Sequence, residues 1–323
     1  MTITKLAEIT GYSVSTVSKA LANKKDVSEY AKQKIIEKAK ELGCFEKFCK
    51  ENYDRKIIAV LCPEVKSQFY SKILSTLNQQ IEERGGTMAI SMTDFSKTST
   101  EKLFRLYSGN KRADGIILFG NGNLVKKHCP VPVVVFGENQ TPYADTVYMN
   151  SQTGFNEALA LLKNYGHKRI GFIGEKLTES KQDHFLKAVK SVGLEVDSDL
   201  IYVSSSRFEE AGFEGAERLL SGDKKPTAIV CAYDNIALGA ITYAERKGLS
   251  VPNDLSVIGC DNMQISSHTK ISLSTIDLNV LESCITAVDL LFNKISKSGY
   301  CINKSISILS SYIDRKTVTF AKD

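Results

Sequence analysis

Short apolar segments alternate with amphipathic segments of helical length along most of this chain. Residues 57–61, 170–173 and 228–232 are apolar segments, and each precedes a stretch whose apolar residues recur every three or four positions. A continuously apolar strand is buried on both faces, as in a parallel sheet that helices cover on both sides. The alternation therefore predicts an α/β fold.

The alternation also divides into two similar series. Residues 56–61 and 168–174 each lead from a basic residue into an apolar strand that opens a new run of strands and helices. This repetition predicts two Rossmann-like, parallel-sheet subdomains. Ligands bind at the carboxyl ends of such strands, so two facing halves would flank a ligand cleft.

The predicted elements can be assigned to the two subdomains. We assign residues of about 57–150 plus 278–304 to an N-subdomain, and about 151–277 plus 305–323 to a C-subdomain, whose sheet would receive the last strand, near 307–312. Strands are predicted at 57–61, 88–92, 115–119, 131–136, 170–173, 201–203, 228–232 and 257–260. Helices are predicted at 68–84, 100–107, 153–165, 180–192, 209–220, 235–247 and 279–297.

Residues 1–44 have a different pattern, which predicts an all-α headpiece of three short helices. Apolar residues at helical spacing, Ile3 and Leu6 among them, predict the first helix, which stops at Gly11, where positive φ is cheap. Ser13 can cap a second helix and Ser28 a third. Residues 45–56 are charged and short and would form a linker or hinge.

The second helix would bury Val17, Ala20 and Leu21 and expose Val14, Ser15, Thr16, Ser18 and Lys19. The exposed side chains are small, polar and cationic, as a helix that enters the major groove of DNA requires. The three helices would then be a helix-turn-helix domain. Any three amphipathic helices, however, would show a similar apolar seam.

The order of these signals is more specific. Residues 2–7, the Gly11 turn, residues 13–18 and residues 27–28 resemble, at their mutual spacings, the N-terminal signature of the LacI/GalR family of transcriptional regulators. The resemblance extends over the core through residues 113–118, 166–174, 226–230, 237–240 and 251–259. It implies a periplasmic-binding-protein-like core behind a DNA-binding headpiece.

The resemblance also implies roles for single residues of the headpiece. Val14, Ser15 and Lys19 fall where the family reads bases, and the positions that contact or approach phosphates correspond to Ser13, Thr16, Ser18 and Asn23. Lysine stands at position 19 where arginine is usual. Because lysine is a point charge without arginine's bidentate fork, we expect softer base discrimination there.

Candidate effector-binding residues lie in the core. Asp261 follows a predicted strand at the cleft edge, where the family's effector-binding aspartate sits, and its carboxylate could accept two hydroxyl hydrogens of a sugar or nucleoside. Lys181 aligns with an arginine that grips the effector, Phe69 and Tyr70 with stacking aromatics, and Tyr233 stands where a smaller residue is frequent. The alternatives are a turn aspartate, a solvated lysine and core aromatics.

The linker departs furthest from the family pattern. A typical member carries a hinge helix whose leucine wedges into the minor groove at the operator centre. Here Tyr53 holds the leucine position, and Phe48 or Tyr53 could act as substitute wedges. A phenol is larger than leucine and must keep its hydroxyl hydrogen-bonded, and Glu46, Glu51 and Asp54 would repel phosphates along the groove. We therefore expect the central operator base pairs to contribute less than in typical relatives.

Charge and composition restrict the classes of protein to which this chain can belong. The formal net charge is +5, and most of this excess lies in residues 1–56, which hold 12 Lys and Arg against 8 Asp and Glu. A positive excess at that end suits contact with DNA phosphates. The eight cysteines and four histidines are scattered, so we expect reduced, mostly buried thiols and no metal site. Signal-peptide, membrane-span, catalytic and cofactor patterns are lacking, which favours a cytoplasmic protein that is not an enzyme and has no membrane partner.

These observations predict a homodimeric repressor that binds double-stranded DNA at a near-palindromic operator and responds to a small-molecule effector, most simply a sugar or related metabolite. Two alternatives stay open. One is a solute-binding protein without DNA function, and the other is a sugar-processing enzyme.

Overall fold

The structure, a computed structural model, describes residues 1–22, 24, 26–48, 55–109, 112–138, 141–222, 224–264, 266, 272–296 and 302–322. The chain divides into two compact units, Met1–Lys56 and Ile57–Asp323. The first unit combines the predicted headpiece, residues 1–44, with the predicted linker, residues 45–56, and is called the headpiece; the second is called the core.

The described residues of the headpiece form four helices: α1 (Ile3–Thr10), α2 (Val14–Leu21), α3 (Glu29–Glu41) and α4 (Phe45–Phe48). The predicted caps are confirmed, because the Ser13 hydroxyl accepts the Thr16 amide at 3.0 Å and the Ser28 hydroxyl accepts the Ala31 amide at 3.3 Å. Gly11 ends α1 at φ +73°. Each boundary is thus set by a residue that satisfies or turns the backbone locally.

One small apolar cluster joins the headpiece helices. Leu6, Val17 and Ile35 are fully buried at its centre. Ile9 shares the helical spacing of Ile3 and Leu6, from which burial on the same face of α1 is expected, but it is 41% exposed. The turn at Gly11 brings α2 against Leu6 and Ala7, and this leaves Ile9 at the margin of the contact.

The first sheet of the core has the strand order β11-β5-β4-β3-β1-β2. Its strands are β1 (Lys56–Cys62), β2 (Gly86–Met92), β3 (Gly115–Phe119), β4 (Val133–Phe136), β5 (Asp145–Asn150) and β11 (Ser305–Leu309). The helices α5 (Gln68–Glu83), α6 (Lys97–Gly109) and α11 (Val280–Ser296) cover it. In β1, Ile58 and Val60 pack on one face and Ala59 and Leu61 on the other, which confirms strands buried on both sides.

The second sheet has the order β12-β10-β9-β8-β6-β7. Its strands are β6 (Ile170–Glu175), β7 (Ile201–Ser204), β8 (Ala228–Cys231), β9 (Ser256–Cys260), β10 (Ser274–Asp277) and β12 (Ser311–Ile313). The flanking helices are α7 (Gln152–Asn164), α8 (Glu179–Ser191), α9 (Phe208–Leu220) and α10 (Asp234–Arg246). Strands β6 to β10 pair in parallel. The sequence pattern predicted parallel strands at β6, β7, β8 and β9, but it did not predict β10.

The C-terminal crossing between the sheets differs from the prediction. One strand near 307–312 was expected in the second sheet, but β11 pairs with β5 in the first sheet and β12 pairs antiparallel with β10 in the second. The N-subdomain therefore extends to Leu309 and not only to residue 304. Ser310 alone connects the two strands, and its buried hydroxyl accepts the Gly154 amide at 2.8 Å. With no turn residue at that point, the two strands look like one in the sequence.

Three further features concern β5, the cysteines and the lengths of the helices. Strand β5 was not predicted, because its pattern is only half apolar. The six described cysteines are free thiols, and all but Cys129 are buried, as expected. Within the described part of the chain, no helix is both long and apolar enough to cross a membrane.

Candidate functional site

Helix α2 exposes the face that the sequence singled out. Val14 is 46% exposed, Ser15, Ser18 and Lys19 are exposed, and Val17 on the opposite face is fully buried. The packing against α1 and α3 fixes which face is outward. The hydroxyls of Ser13 and Thr16 lie 2.8 Å apart, so Ser13 is engaged in closing the first turn of α2.

Lys19 forms an exposed ion pair with Asp26, the residue two places before the cap of α3. The Lys19 Nζ and Asp26 Oδ2 atoms lie 2.5 Å apart, and the side chains are 49% and 56% exposed. The hydrogen bond from Lys19 lowers the pKa of Asp26. An ion pair in this setting is worth little, so Lys19 can exchange Asp26 for another anion at small cost.

Three further residues of the headpiece were predicted to contact DNA: Asn23, Phe48 and Tyr53. Asn23 and Tyr53 lie outside the described residues. Phe48, the last residue of α4, is half-buried against the headpiece cluster. Inserting its ring into DNA would therefore cost the packing that it makes there.

The core contains a cavity of about 240 Å³ between its two subdomains. It lies at the carboxyl ends of the strands, where the topology predicted a cleft. All five residues predicted to face an effector line it: Phe69, Tyr70, Lys181, Tyr233 and Asp261. Sequence reasoning did not find the other side chains on its wall, chiefly Phe95, Leu177, Arg207, Phe208 and Met263.

Lys181 and Asp261 form a buried ion pair on the cavity wall. The Lys181 Nζ lies 2.6 Å from Asp261 Oδ1, and the side chains are only 13% and 3% exposed. The same ammonium donates to the carbonyl of Ala232 at 2.9 Å and lies 4.6 Å from the ring centre of Tyr233. Burial opposes the charge on Lys181, but the attraction of Asp261 outweighs it and raises the pKa of the lysine.

Three residues of the wall have backbone angles that side chains other than glycine rarely adopt. Phe95, Phe208 and Asp261 have φ values of +55°, +57° and +100°. Such conformations cost on the order of 1–3 kcal/mol each and persist only where the surroundings impose them, commonly at binding sites. Their concentration around one cavity supports a binding role for it.

Arg207 connects the two subdomains across the cavity. Its Nη1 and Nη2 atoms each lie 2.9 Å from a carboxylate oxygen of Glu64, which follows β1. Its Nε lies 3.1 Å and 3.2 Å from the carboxylate oxygens of Glu175, at the end of β6. These partners lie 143 and 32 residues away in sequence, so no local pattern could reveal the cluster.

Asp234 lies behind the cavity wall and binds the segment that follows β9 through hydrogen bonds. It is fully buried, and it accepts the Thr275 hydroxyl at 2.5 Å and the Met263 amide at 2.7 Å. A side chain at Gly259 would start 2.2 Å from its Oδ1, which explains the glycine there. Burial raises the pKa of Asp234 to about 7.

The described residues do not form a metal centre. Within those ranges, no three His, Cys, Asp or Glu side chains lie close enough together to hold a metal ion. The cavity instead combines aromatic walls with paired charges, which suits the binding of a small organic molecule.

A small helical headpiece with an exposed polar helix face, together with an α/β core that has a cavity between two subdomains, defines the class of ligand-responsive DNA-binding proteins. Residues 159–318 match the family model of the periplasmic binding protein-like domain. The chain is 30% identical to the transcriptional repressor CytR of Escherichia coli K12, over 82% of this chain and 81% of CytR. It is 28% identical to the repressor PurR of Mannheimia succiniciproducens, over 98% of both chains.

Solved structures show the same fold. A LacI family regulator from Silicibacter pomeroyi superposes with a TM-score of 0.77 at 21% identity, over 99% of both chains. A LacI family regulator from Enterococcus faecium with bound ribose has a TM-score of 0.70 at 21% identity, over 83% of this chain and all of that one.

The chain belongs to the LacI family of transcriptional regulators. Members of this family are DNA-binding transcriptional regulators, and the relatives CytR and PurR are repressors.

Proposed function

We propose that this repressor binds a near-palindromic operator as a homodimer through α2, and that its effector occupies the cavity at Asp261. The observation that carries the proposal is the convergence of five residues, spread from Phe69 to Asp261, on one cavity with a buried carboxylate. Two headpieces are needed because one small headpiece covers only a half-site.

In the DNA complex, Val14, Ser15 and Lys19 face base edges, while Ser13, Thr16, Ser18 and Asn23 approach phosphates. The support for this is the exposure of Ser13, Val14, Ser15, Ser18 and Lys19 on the surface of the headpiece, whereas Thr16 is half-buried. Selection of bound sequences from a random DNA library tests it. We expect two inverted half-sites, and a single unpaired half-site would contradict the dimer.

The central base pairs of the operator contribute less than the half-sites in this proposal. Phe48 is half-buried against the headpiece cluster, which disfavours its use as a wedge. Systematic substitution of the operator's central step measures the contribution. A loss of about 3 kcal/mol or more there, abolished by Tyr53→Ala, would restore the ordinary wedge mechanism.

The effector is a sugar or a related hydroxyl-rich metabolite. Lys181 occupies Oδ1 of Asp261, and a carboxylate has about four acceptor positions, so Asp261 retains capacity for ligand hydroxyls. The neighbouring aromatic rings can cover an apolar ring face. Support from a related fold is the ribose bound to the Enterococcus faecium regulator.

Titration calorimetry of Asp261→Asn against a panel of sugars and nucleosides tests this site. The substitution keeps the side-chain size but replaces one acceptor oxygen with a donor, so we expect effector affinity to fall more than tenfold. Asp254→Asn, on an exposed ion pair with Lys322, is the matched control. Equal affinities in the wild type and Asp261→Asn would assign Asp261 a structural role.

The protein acts on its ligand by binding alone, in the cytoplasm where it meets DNA. The support is that the relatives are regulators. Incubation of a bound sugar with the protein, followed by chromatography, should return the sugar unchanged, and a new product would favour the enzyme alternative.

A further inference from the structure

Arg207 is held on both of its hydrogen-bonding edges by carboxylates. Glu64 takes the edge formed by Nη1 and Nη2, and Glu175 takes the Nε side. The carboxylates are only 12% and 2% exposed, whereas arginine is 31% exposed. The guanidinium, whose fork is the usual protein group for binding phosphate or carboxylate, is therefore already occupied.

Two phenylalanines fix the plane of this guanidinium. The Arg207 Cζ lies 4.4 Å from the ring centre of Phe208 and 5.9 Å from that of Phe95. Both phenylalanines have positive φ, so the backbone accepts strain to place them there. Arg207 is held in place from its edges and its faces, and it cannot simply turn toward a ligand.

The ammonium of Lys181 is likewise already bound to protein groups. Its ammonium is bonded to Asp261 and to the carbonyl of Ala232, and it lies near the rings of Tyr233 and Phe69. Lys181 and Arg207 are the cations among the described residues that line the cavity. An anionic ligand would thus find no available cation on this part of the wall.

The charge balance around the cavity also disfavours an anion. Glu64, Glu175 and Asp261 carry three negative charges against the two positive charges of Lys181 and Arg207. An arriving phosphate would have to displace a buried carboxylate from its partner, and that carboxylate would then be charged, buried and unpaired. The phosphate would also lose its own hydration, and no free cation on the described part of the wall would compensate for that loss.

We propose that Arg207, held between Glu64 and Glu175, restricts the cavity to uncharged ligands such as free sugars or nucleosides and excludes their phosphorylated counterparts. This inference rests on the proposed role of the cavity as the effector site. The rings of Phe69, Tyr70 and Tyr233 then contact the ligand's apolar face, and Asp261 accepts its hydroxyls. Arg207 acts as a specificity-determining residue through the partners that neutralise it.

Removing Glu64 should reverse the exclusion. In Glu64→Ala the Nη1 and Nη2 edge of Arg207 becomes available, and the shortened side chain leaves room for a phosphate beside it. Glu64→Gln keeps the size and one acceptor oxygen, so it should have a smaller effect. Glu64→Ala with Arg207→Gln is the matched control, because it leaves at least as much space but has no guanidinium fork.

Titration calorimetry with inorganic phosphate, ribose 5-phosphate and glucose 6-phosphate tests the proposal on the full chain. We expect no saturable binding to the wild type, at least tenfold tighter binding of a phosphate ester to Glu64→Ala, and loss of that gain in the double variant. If circular dichroism shows that Glu64→Ala does not fold, Glu64→Gln replaces it in the same comparison.

The contrary outcomes are equally defined. Equal binding to the wild type and to the Glu64 variant, including no measurable binding to either, overturns the proposal, and so does a gain that survives in the double variant. Ribose and glucose are titrated in parallel. A failure of every neutral ligand to bind would count against the effector site itself, whereas the phosphate comparison needs no effector and is decided separately.

Discussion

Two lysine–aspartate pairs of almost equal length lie in different regions of this protein. Lys19 and Asp26 in the headpiece are 2.5 Å apart, and Lys181 and Asp261 in the core are 2.6 Å apart. The headpiece pair is about half exposed, whereas the core side chains are 13% and 3% exposed. The distance is the same, but the surroundings differ.

The difference shows how one pairing can serve two functions. In water an ion pair is weak, so Lys19 can leave Asp26 for a DNA phosphate or base. In a buried site either partner left alone is costly, so Lys181 and Asp261 stay together and a ligand must bind to the pair as a unit. A surface that binds DNA needs exchangeable charges, and a selective cavity needs committed ones.

The largest expected effect is a loss of unfolding free energy when the core ion pair is broken. Asp261→Ala leaves the Lys181 ammonium buried without its carboxylate, so we expect the core to lose about 4 kcal/mol of unfolding free energy. Denaturant unfolding at neutral pH measures the loss. Lys181→Met added to Asp261→Ala should recover part of it, and a loss below about 1 kcal/mol would mean that the core pair behaves like a surface pair.

The pH dependence of the core and the headpiece should have opposite signs. Burial raises the pKa of Asp234 from 3.8 to about 7, so its contribution to stability is fully present below about pH 3.8 and is lost as pH rises to about 7. The unfolding free energy of Asp234→Asn minus that of the wild type should therefore increase over this interval, by about 4 kcal/mol.

Asp26→Asn provides the opposite case. The pKa of Asp26 is lowered by the hydrogen bond from Lys19, so its contribution is present above its unfolded pKa and is lost as the pH falls. Unfolding of each variant across the pH range checks both signs. A flat difference for Asp234→Asn would show that this carboxyl is not ionised differently in the folded and unfolded chains.

The next effect concerns DNA affinity. Lys19→Ala should weaken specific operator binding by about 1–3 kcal/mol if the lysine reads a base, and should reduce the salt slope by about one if it contacts only phosphate. Fluorescence anisotropy at several salt concentrations distinguishes the two. Lys322→Ala, at an exposed pair in the core, is the control. Unchanged affinity and slope in Lys19→Ala would refute the docking of α2.

The smallest effect comes from releasing Lys19 without removing it. Asp26→Asn should raise DNA affinity only severalfold, because the pair that it removes is exposed and weak. The same anisotropy assay measures this gain. A fall in affinity would show that Asp26 positions Lys19 for DNA, which would bring the headpiece pair closer in behaviour to the core pair.

Much of the fold could be predicted because its signals are local. The caps at Ser13 and Ser28 act over three residues, and the helices of both units follow from the spacing of their apolar residues. Resemblance to the family added the five cavity residues, which the structure brings together around one cavity. Their roles in binding stay predictions.

The sequence by itself determined the headpiece, the α/β alternation and the division into two sheets, because each depends on contacts within a few residues or on a repeated pattern of burial. Only the tertiary structure decided the crossing at Ser310 and the cluster of Arg207 with Glu64 and Glu175. The residues next to Arg207 in the sequence do not show which distant carboxylates it will bind. Its partner and its energy depend on which strand ends the sheet order brings together, and on how much water remains there.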